Sequence, residues 1–231
     1  MNRYKAIFFD ADNTLVDFRE CEKQALRYVF DSAGIAYKPE YQAVFSPLDR
    51  ALWENGAYDG VAVPQADIPV YRFKALFAKI GVAYDDFAEA NHLFKAGLAS
   101  TSALVDKADE AVACLHRRGY LLSVVTNGLI ELQKPRIANS KIGQFISHII
   151  VSEEVGASKP NPLIFNTLLA RMNMNPRDVI MVGDSLQNDM QGARNAGIQA
   201  VWYNPERSPN NTNISPDYEI HDLAQLVDML A

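Results

Sequence analysis

Phe8-Phe9-Asp10-Ala11-Asp12-Asn13-Thr14-Leu15 is the stretch on which the fold of this 231-residue chain turns. It completes a short apolar, aromatic run from Tyr4 to Phe9, of the length and residue type of a buried strand. Two carboxylates one residue apart follow, and then Asn13 and Thr14, which favour a turn. In open α/β sheets ligands gather beyond the carboxyl ends of strands, so Asp10 and Asp12 fall on the rim where chemistry takes place. Two unpaired carboxylates this close repel each other unless a cation lies between them. Two readings of the eight residues stand. One is a bound Mg²⁺, which takes a few carboxylate oxygens and keeps several waters. The other is an Asx-turn with both acids in solvent.

The length fits one large domain or a core with an insertion, and 48% hydrophobic residues are enough for a sizeable core. A formal charge of −6 argues against a nucleic-acid backbone or an anionic membrane as the main partner. A phosphorylated small molecule remains compatible, because a local metal can invert the field in one cleft. Cys21 and Cys114 lack metal-type spacing and read as two buried thiols in a reducing compartment. Asp10 interrupts the N-terminal apolar run, so no signal-peptide core is expected. No stretch approaches the ~20 apolar residues that span a bilayer. The expected location is the cytoplasm, and the expected assembly a monomer or small homo-oligomer.

Beyond Leu15 the periodicity becomes helical. Cys21, Leu26, Val29 and Phe30 recur at three- and four-residue spacing up to Gly34. Further helices are expected over about 41–55, with Pro47 a kink or break, over 70–80, closed by Gly81, and over 85–99. No strand is expected between Asp17 and Ser100. From Asp106 helices and strands alternate. Strands are expected at 120–125, 145–151, 178–182, 199–203 and 218–220. Helices are expected at 109–118, 130–141 despite Pro135, 162–172, 189–196 and 223–230. The segment 204–216, rich in Pro, Asn and Ser, reads as loop. Such alternation implies a doubly wound parallel sheet, a Rossmann-like α/β core with an inserted all-helical cap. The core is expected from 1–16 and 101–231, and the cap from 17–100.

Four groups fall at strand ends or beside them. They are Asp10-Ala11-Asp12, Thr126-Asn127-Gly128, Lys159 within Ala157-Ser158-Lys159-Pro160-Asn161-Pro162, and Gly183-Asp184 with Asp189 five positions on. Parallel strands point their carboxyl ends the same way, so these groups can converge in one cleft. Each has a plainer reading alone: a turn, a solvated lysine, a helix cap. Together they offer carboxylates for a metal, a hydroxyl and a cation for phosphate oxygens, and a carboxylate free to act as nucleophile.

The set Asp10-x-Asp12-x-Thr14, Thr126, Lys159-Pro160 and Gly183-Asp184-x-x-x-x-Asp189 closely resembles the four motifs of the haloacid dehalogenase-like hydrolase superfamily. The resemblance covers the whole chain, including a helical cap of the family's first type. It is closer still to the bacterial pyrimidine 5′-nucleotidase, or house-cleaning nucleotidase, branch. The stretches that carry that likeness are Phe8-Phe9-Asp10-Ala11-Asp12-Asn13-Thr14-Leu15, Leu52-Trp53-Glu54-Asn55-Gly56 and Val151-Ser152-Glu153-Glu154-Val155-Gly156-Ala157-Ser158-Lys159-Pro160-Asn161-Pro162. Many relatives carry Gly where this chain has Asn13, which tolerates unusual turn geometry almost as well. The resemblance implies that Asp10 is the nucleophile and forms an aspartyl-phosphate, and that Asp12 is the acid and then the base. It implies Mg²⁺ as cofactor, held by an Asp10 oxygen, the Asp12 carbonyl and Asp184, with Asp189 acting through a water or orienting Lys159. Thr126, Lys159 and the Asn127 N–H would hold phosphate oxygens.

The implied substrate is a small phosphorylated molecule, a nucleoside monophosphate with pyrimidines favoured. Dehalogenation needs no acid at Asp12 and no metal, so phosphate chemistry is preferred. Substrate choice is expected in the cap, which would close over the cleft as lids do. There Trp53, Tyr58, Tyr71, Phe73 and Phe77 are either base-stacking or cap-core residues, and Arg72 either meets a polar group or faces solvent. Asp17 and Phe18 are hinge-side candidates. Competing readings are a phosphosugar phosphatase or mutase of the same superfamily and a receiver-like phospho-switch.

Overall fold

The computed structural model describes residues 3–231. The chain divides into two compact units, residues up to Arg19 with Ser102–Ala231, and Glu20–Thr101. In chain order the elements begin with β1 (Ala6–Phe9), α1 (Phe18–Ser32), α2 (Pro39–Asn55), β2 (Ala57–Tyr58), β3 (Val61–Ala62), α3 (Ile68–Ile80) and α4 (Phe87–Ser100). Then come α5 (Ala108–Arg117), β4 (Leu121–Thr126), α6 (Ile130–Ala138), β5 (Ile146–Val151), α7 (Ser152–Val155) and α8 (Pro162–Met172). The last are β6 (Val179–Gly183), α9 (Gln191–Asn195), β7 (Gln199–Tyr203), β8 (Tyr218–Ile220) and α10 (Leu223–Met229).

The first unit is built on a six-stranded sheet in the order β5-β4-β1-β6-β7-β8, with every neighbouring pair parallel. Its central strand β1 is apolar at all four positions and wholly buried, as a strand packed on both faces must be. Phe8 joins Val125, Ile150, Phe165, Leu168 and Met181 in one core cluster. Each such side chain contributes roughly 1.5–3 kcal/mol by leaving water. Phe9 lies level with Val124 of β4 and Val182 of β6, so the residue after it emerges between the ends of those two strands. That is the point from which the chain winds to either side, where open α/β sheets bind ligands.

Two expected helices differ from expectation, and the one-turn α7 was not expected at all. α6 stops at Ala138, three residues short of Lys141, where the Ser140 hydroxyl turns back to the Ile137 carbonyl at 2.6 Å. The expected helix over 189–196 is instead a π-helical turn, Leu186–Met190, running into the short α9. The Ser185 side chain caps this turn by accepting from the Asn188 N–H at 3.1 Å. Cys21 is buried as expected, whereas Cys114 is only half-buried.

The second unit comprises the four helices α1–α4, α1 being shared at its first turn, and one hairpin that the sequence reading missed. β2 and β3 hold two residues each, too few for any alternation to register. Asp59 and Gly60 between them have φ of 49° and 77°, the positive values that Asp-Gly supplies in tight hairpins. α2 runs through Pro47, which forfeits one i→i−4 bond without ending the helix. Phe45 lies 5.4 Å from Phe73 and 5.1 Å from Phe94, so these rings form the unit's core. Gly97 is required where α4 crosses α1, because a Cβ there would come 2.8 Å from Ala25 Cα.

Arg72 does not face solvent. It is 7% exposed, donates to Asp49 at 3.1 Å and Asn91 at 2.7 Å, and lies 4.7 Å from the Phe94 ring centroid. Of the five candidate stacking residues, Phe73 and Phe77 are core, while Tyr58 and Tyr71 pack on the Leu48, Leu52, Val63 and Ile68 cluster. Trp53 is exposed, and its indole N–H is held by Asp49 at 3.1 Å.

Candidate active site

Three adjacent strands end together: Asp10 follows β1, Thr126 is the last residue of β4, and Gly183-Asp184 closes β6. The turn after β1 is tied by the Asn13 N–H to Val16 carbonyl bond at 2.7 Å and the Leu15 N–H to Ala11 carbonyl bond at 3.0 Å. Asn13 has φ of 61°, the left-handed conformation that Gly or Asn adopts most readily. Asp10 is 8% exposed, which removes the reading of a simple turn with both acids in solvent.

Lys159 reaches this point from the loop between α7 and α8, and it is 4% exposed. Its Nζ donates to Asp10 Oδ1 at 2.6 Å, Asp189 Oδ1 at 2.7 Å and the Val125 carbonyl at 2.9 Å. An ammonium has three N–H donors, and these bonds use all of them. The Asn127 side chain fixes the loop. It accepts from the Lys159 N–H at 2.8 Å and donates to the Lys159 carbonyl at 3.1 Å, beside the cis Lys159–Pro160 peptide. Ser152 and Glu153, at the end of β5, secure the other flank by accepting from the Gly128 N–H at 3.0 Å and the Ile130 N–H at 2.7 Å.

Asp189 is fully buried, with Oδ1 on Lys159 and Oδ2 accepting from the Ser185 N–H at 3.0 Å. The π-helical turn brings it back against Gly183, where an added Cβ would lie 2.4 Å from its Cγ. Only glycine allows that approach. The Asp184 backbone is pinned by the Trp202 indole, which donates to its carbonyl at 2.9 Å.

The electrostatics favour a cation. Ligand oxygens of Asp10, Asp184 and Asp189 lie within 4.8 Å of one another. Burial drives the Asp10 carboxyl well above its ordinary value, Lys159 opposes that, and the charges of Asp189 and Asp184 add to it. Burial, followed by the Asp189 charge, lifts Asp184 to about 6. For Lys159 burial alone disfavours the ammonium, but Asp10 and Asp189 outweigh it and hold it protonated. Three carboxylates thus face one ammonium. A hard divalent ion with oxygen ligands fits that imbalance.

Asp12 stands slightly apart. Its carboxylate is partly exposed and receives Arg136 Nη2 on Oδ1 at 2.6 Å and Gln133 Nε2 on Oδ2 at 2.8 Å. Gln133 also donates to the Asn127 carbonyl at 3.1 Å. The Thr126 hydroxyl is buried, with a 3.2 Å bond to the Asn127 carbonyl. All seven residues singled out from sequence, Asp10, Asp12, Thr126, Asn127, Lys159, Asp184 and Asp189, therefore lie at or beside these strand ends. Gln133 and Arg136 were not singled out. The available signal was two polar residues three apart on α6, immediately after the turn that ends β4.

A parallel sheet carrying carboxylates and a buried lysine at the ends of its central strands has the architecture of an α/β enzyme. The haloacid dehalogenase-like hydrolase family model matches residues 4–197, and the chain belongs to that family of hydrolases. The pyrimidine 5′-nucleotidase PynA of Streptococcus pneumoniae is 31% identical over 229 residues, 98% of this chain and 95% of the relative. A glyceraldehyde 3-phosphate phosphatase of Pyrococcus furiosus is 28% identical, covering 100% of this chain and 94% of that one. The crystal structure of the HAD-hydrolase YfnB from Bacillus subtilis, described as bound to magnesium, superposes with a TM-score of 0.86 at 30% identity over 99% of both chains. Among the described residues no helix is long and apolar enough to cross a membrane.

Proposed function

We propose that this protein is a Mg²⁺-dependent phosphomonoesterase that hydrolyses nucleoside 5′-monophosphates, pyrimidines favoured, through an aspartyl-phosphate on Asp10. The observation that carries the reading is Asp10 itself, a buried carboxylate at the end of the central strand with Lys159 2.6 Å away. An Asp10 oxygen attacks phosphorus as the bond to the leaving 5′ oxygen breaks, and Asp12 gives that oxygen its proton. The nucleoside leaves. Asp12 then takes a proton from water, whose oxygen attacks phosphorus and displaces the Asp10 oxygen, yielding inorganic phosphate. Phosphoryl transfer asks mainly for positioning and charge stabilisation. The Thr126 hydroxyl and the Asn127 N–H serve the phosphate oxygens.

Lys159 acts first on the nucleophile, since its donors are committed to Asp10, Asp189 and Val125. Mg²⁺ would be held by Asp10, the Asp12 carbonyl and Asp184, with Asp189 acting through a water or orienting Lys159, and would supply positive charge to the phosphoryl oxygens. Both Asp189 oxygens already accept protein donors, which supports a role in orienting Lys159. Residues 1–16 with 101–231 make the catalytic core in this reading, and 17–100 the cap that selects the substrate.

PynA supports the pyrimidine assignment. The glyceraldehyde 3-phosphate phosphatase supports a second reading, a phosphosugar substrate at the same site. The test is phosphate release from UMP, dUMP, dTMP, purine monophosphates and sugar phosphates, with Mg²⁺ and with a chelator. Chelator-sensitive turnover strongest on pyrimidine monophosphates is expected, and Asp10→Asn abolishes it. Turnover confined to sugar phosphates replaces the substrate and keeps the mechanism. Normal activity in Asp10→Asn refutes the covalent route.

A further inference from the structure

Asp12 is held by two side chains that no part of the mechanism has yet used. Arg136 is 2% exposed, which is costly for a guanidinium unless its partners repay the lost hydration. Its Nη2 donates to Asp12 Oδ1, its Nη1 meets Gln133 Oε1 at 3.3 Å, and its carbon centre lies 5.7 Å from the Phe18 ring centroid. Gln133 donates to the other Asp12 oxygen and to the Asn127 carbonyl. Gly128 makes room for it. At φ of 134° it has no Cβ, and one built there would lie 3.1 Å from Gln133 Nε2. One donor therefore arrives on each oxygen of Asp12, from one face of α6. Each carboxylate oxygen has a second lone pair, so the clamp leaves room for the proton that the acid must carry.

We propose that Arg136 and Gln133 are positioning residues that hold the Asp12 carboxyl in the orientation needed to protonate the leaving oxygen. This rests on the reading of Asp12 as the acid given above. A carboxyl free to rotate samples the productive orientation only part of the time, and misplacement of about 1 Å can cost about 100-fold.

The experiment compares two substrates that differ in their need for an acid. One is the nucleoside or sugar monophosphate that the enzyme turns over best, whose alkoxide must be protonated as it leaves. The other is p-nitrophenyl phosphate, whose phenolate leaves without help. The Mg²⁺-loaded full chain is assayed as the parent, Gln133→Ala, Arg136→Lys and Asp12→Asn, with thermal unfolding recorded for each. Arg136→Lys keeps the charge and removes the fork. In both clamp variants kcat/KM for the alkyl phosphate falls about 10- to 100-fold, with kcat carrying the loss and KM unchanged. For p-nitrophenyl phosphate it falls less than about threefold, because that step asks little of an acid.

A purely structural defect lowers both substrates alike, and equal losses, like full activity in both variants, overturn the clamp. Should Arg136→Lys fail to fold, Gln133→Ala, which removes one neutral amide, decides alone. Asp12→Asn separates the role of the clamp from the role of the acid it holds. If it discriminates between the substrates and the clamp variants do not, the clamp alone fails. If it lowers kcat/KM equally for both, a quantity that does not include the later water attack, the assignment of Asp12 as the acid fails and the clamp fails with it.

Discussion

Replacing Asp189 by Asn tests whether the ion pair beneath Asp10 or the crowding of carboxylates dominates this site. The two side chains have the same shape, but the amide offers one acceptor and one donor group where the carboxylate offers two acceptors. With its oxygen toward Lys159 Nζ, its NH₂ opposes the Ser185 N–H, which now donates to Oδ2 at 3.0 Å. Turned over, the NH₂ opposes the ammonium. Either way one bond is lost and one buried donor faces another. A hydrogen bond to a charged group contributes about 1.5–3 kcal/mol, and an unsatisfied buried donor costs about 1–3 kcal/mol.

Two effects reduce the damage. Lys159 keeps Asp10 and the Val125 carbonyl, and the repulsion that Asp189 exerts on Asp10 and Asp184 disappears. Asp184 is partly exposed, so solvent screens part of its share of that repulsion, while the share on buried Asp10 is opposed by Lys159. The direct 2.7 Å contact with a buried ammonium is the larger effect. We expect a net loss of about 2–4 kcal/mol. At about 2–4 °C per kcal/mol for a chain of this size, Tm falls by roughly 10 °C. The assay is thermal unfolding by circular dichroism in a chelator, so that no cation compensates for the missing charge. A Tm equal to or above the parent's refutes the reasoning, because repulsion among the acids would then outweigh the ion pair.

Other predictions follow from single contacts. Gly183→Ala places a Cβ 2.4 Å from Asp189 Cγ, which costs about 1–3 kcal/mol of overpacking and displaces the anchor of Lys159. Both Tm and kcat fall, and an unchanged kcat would show that Lys159 needs no such anchor. Glu22 is buried on α1, where it accepts from Gln42 at 3.1 Å and from the Ser46 hydroxyl, and burial raises its pKa above 4.5. Its contribution is fully present below the unfolded value and is lost as pH rises through the folded one. Glu22→Gln removes that loss, so the variant gains stability relative to the parent between pH 4 and pH 7 in urea unfolding. A difference that does not change with pH would refute it. Arg72→Lys cannot serve Asp49 and Asn91 together and destabilises the Glu20–Thr101 unit by about 1–3 kcal/mol, read from the urea midpoint.

The chain by itself determined the sheet and the gathering point of its acids. A buried parallel strand must be apolar along its length, so Ala6–Phe9, Leu121–Thr126 and Val179–Gly183 stand out from the helical stretches around them. Parallel pairing then obliges whatever follows them to share one edge. Asn13 was legible for the same kind of local reason, since its left-handed turn is a property of the residue type.

Tertiary structure alone decided what those groups touch. Three donors on Lys159 are consumed by residues up to 149 positions away, and no local pattern encodes that. Arg136 and Gln133 look like ordinary polar residues of a short helix until folding buries them against Asp12, 124 and 121 positions earlier. Arg72 is equally silent until three phenylalanine rings close around it. Strand hydrophobicity and turn geometry are set by neighbours in sequence. The cost of burying a charge, by contrast, is met only by partners that the completed fold brings within reach.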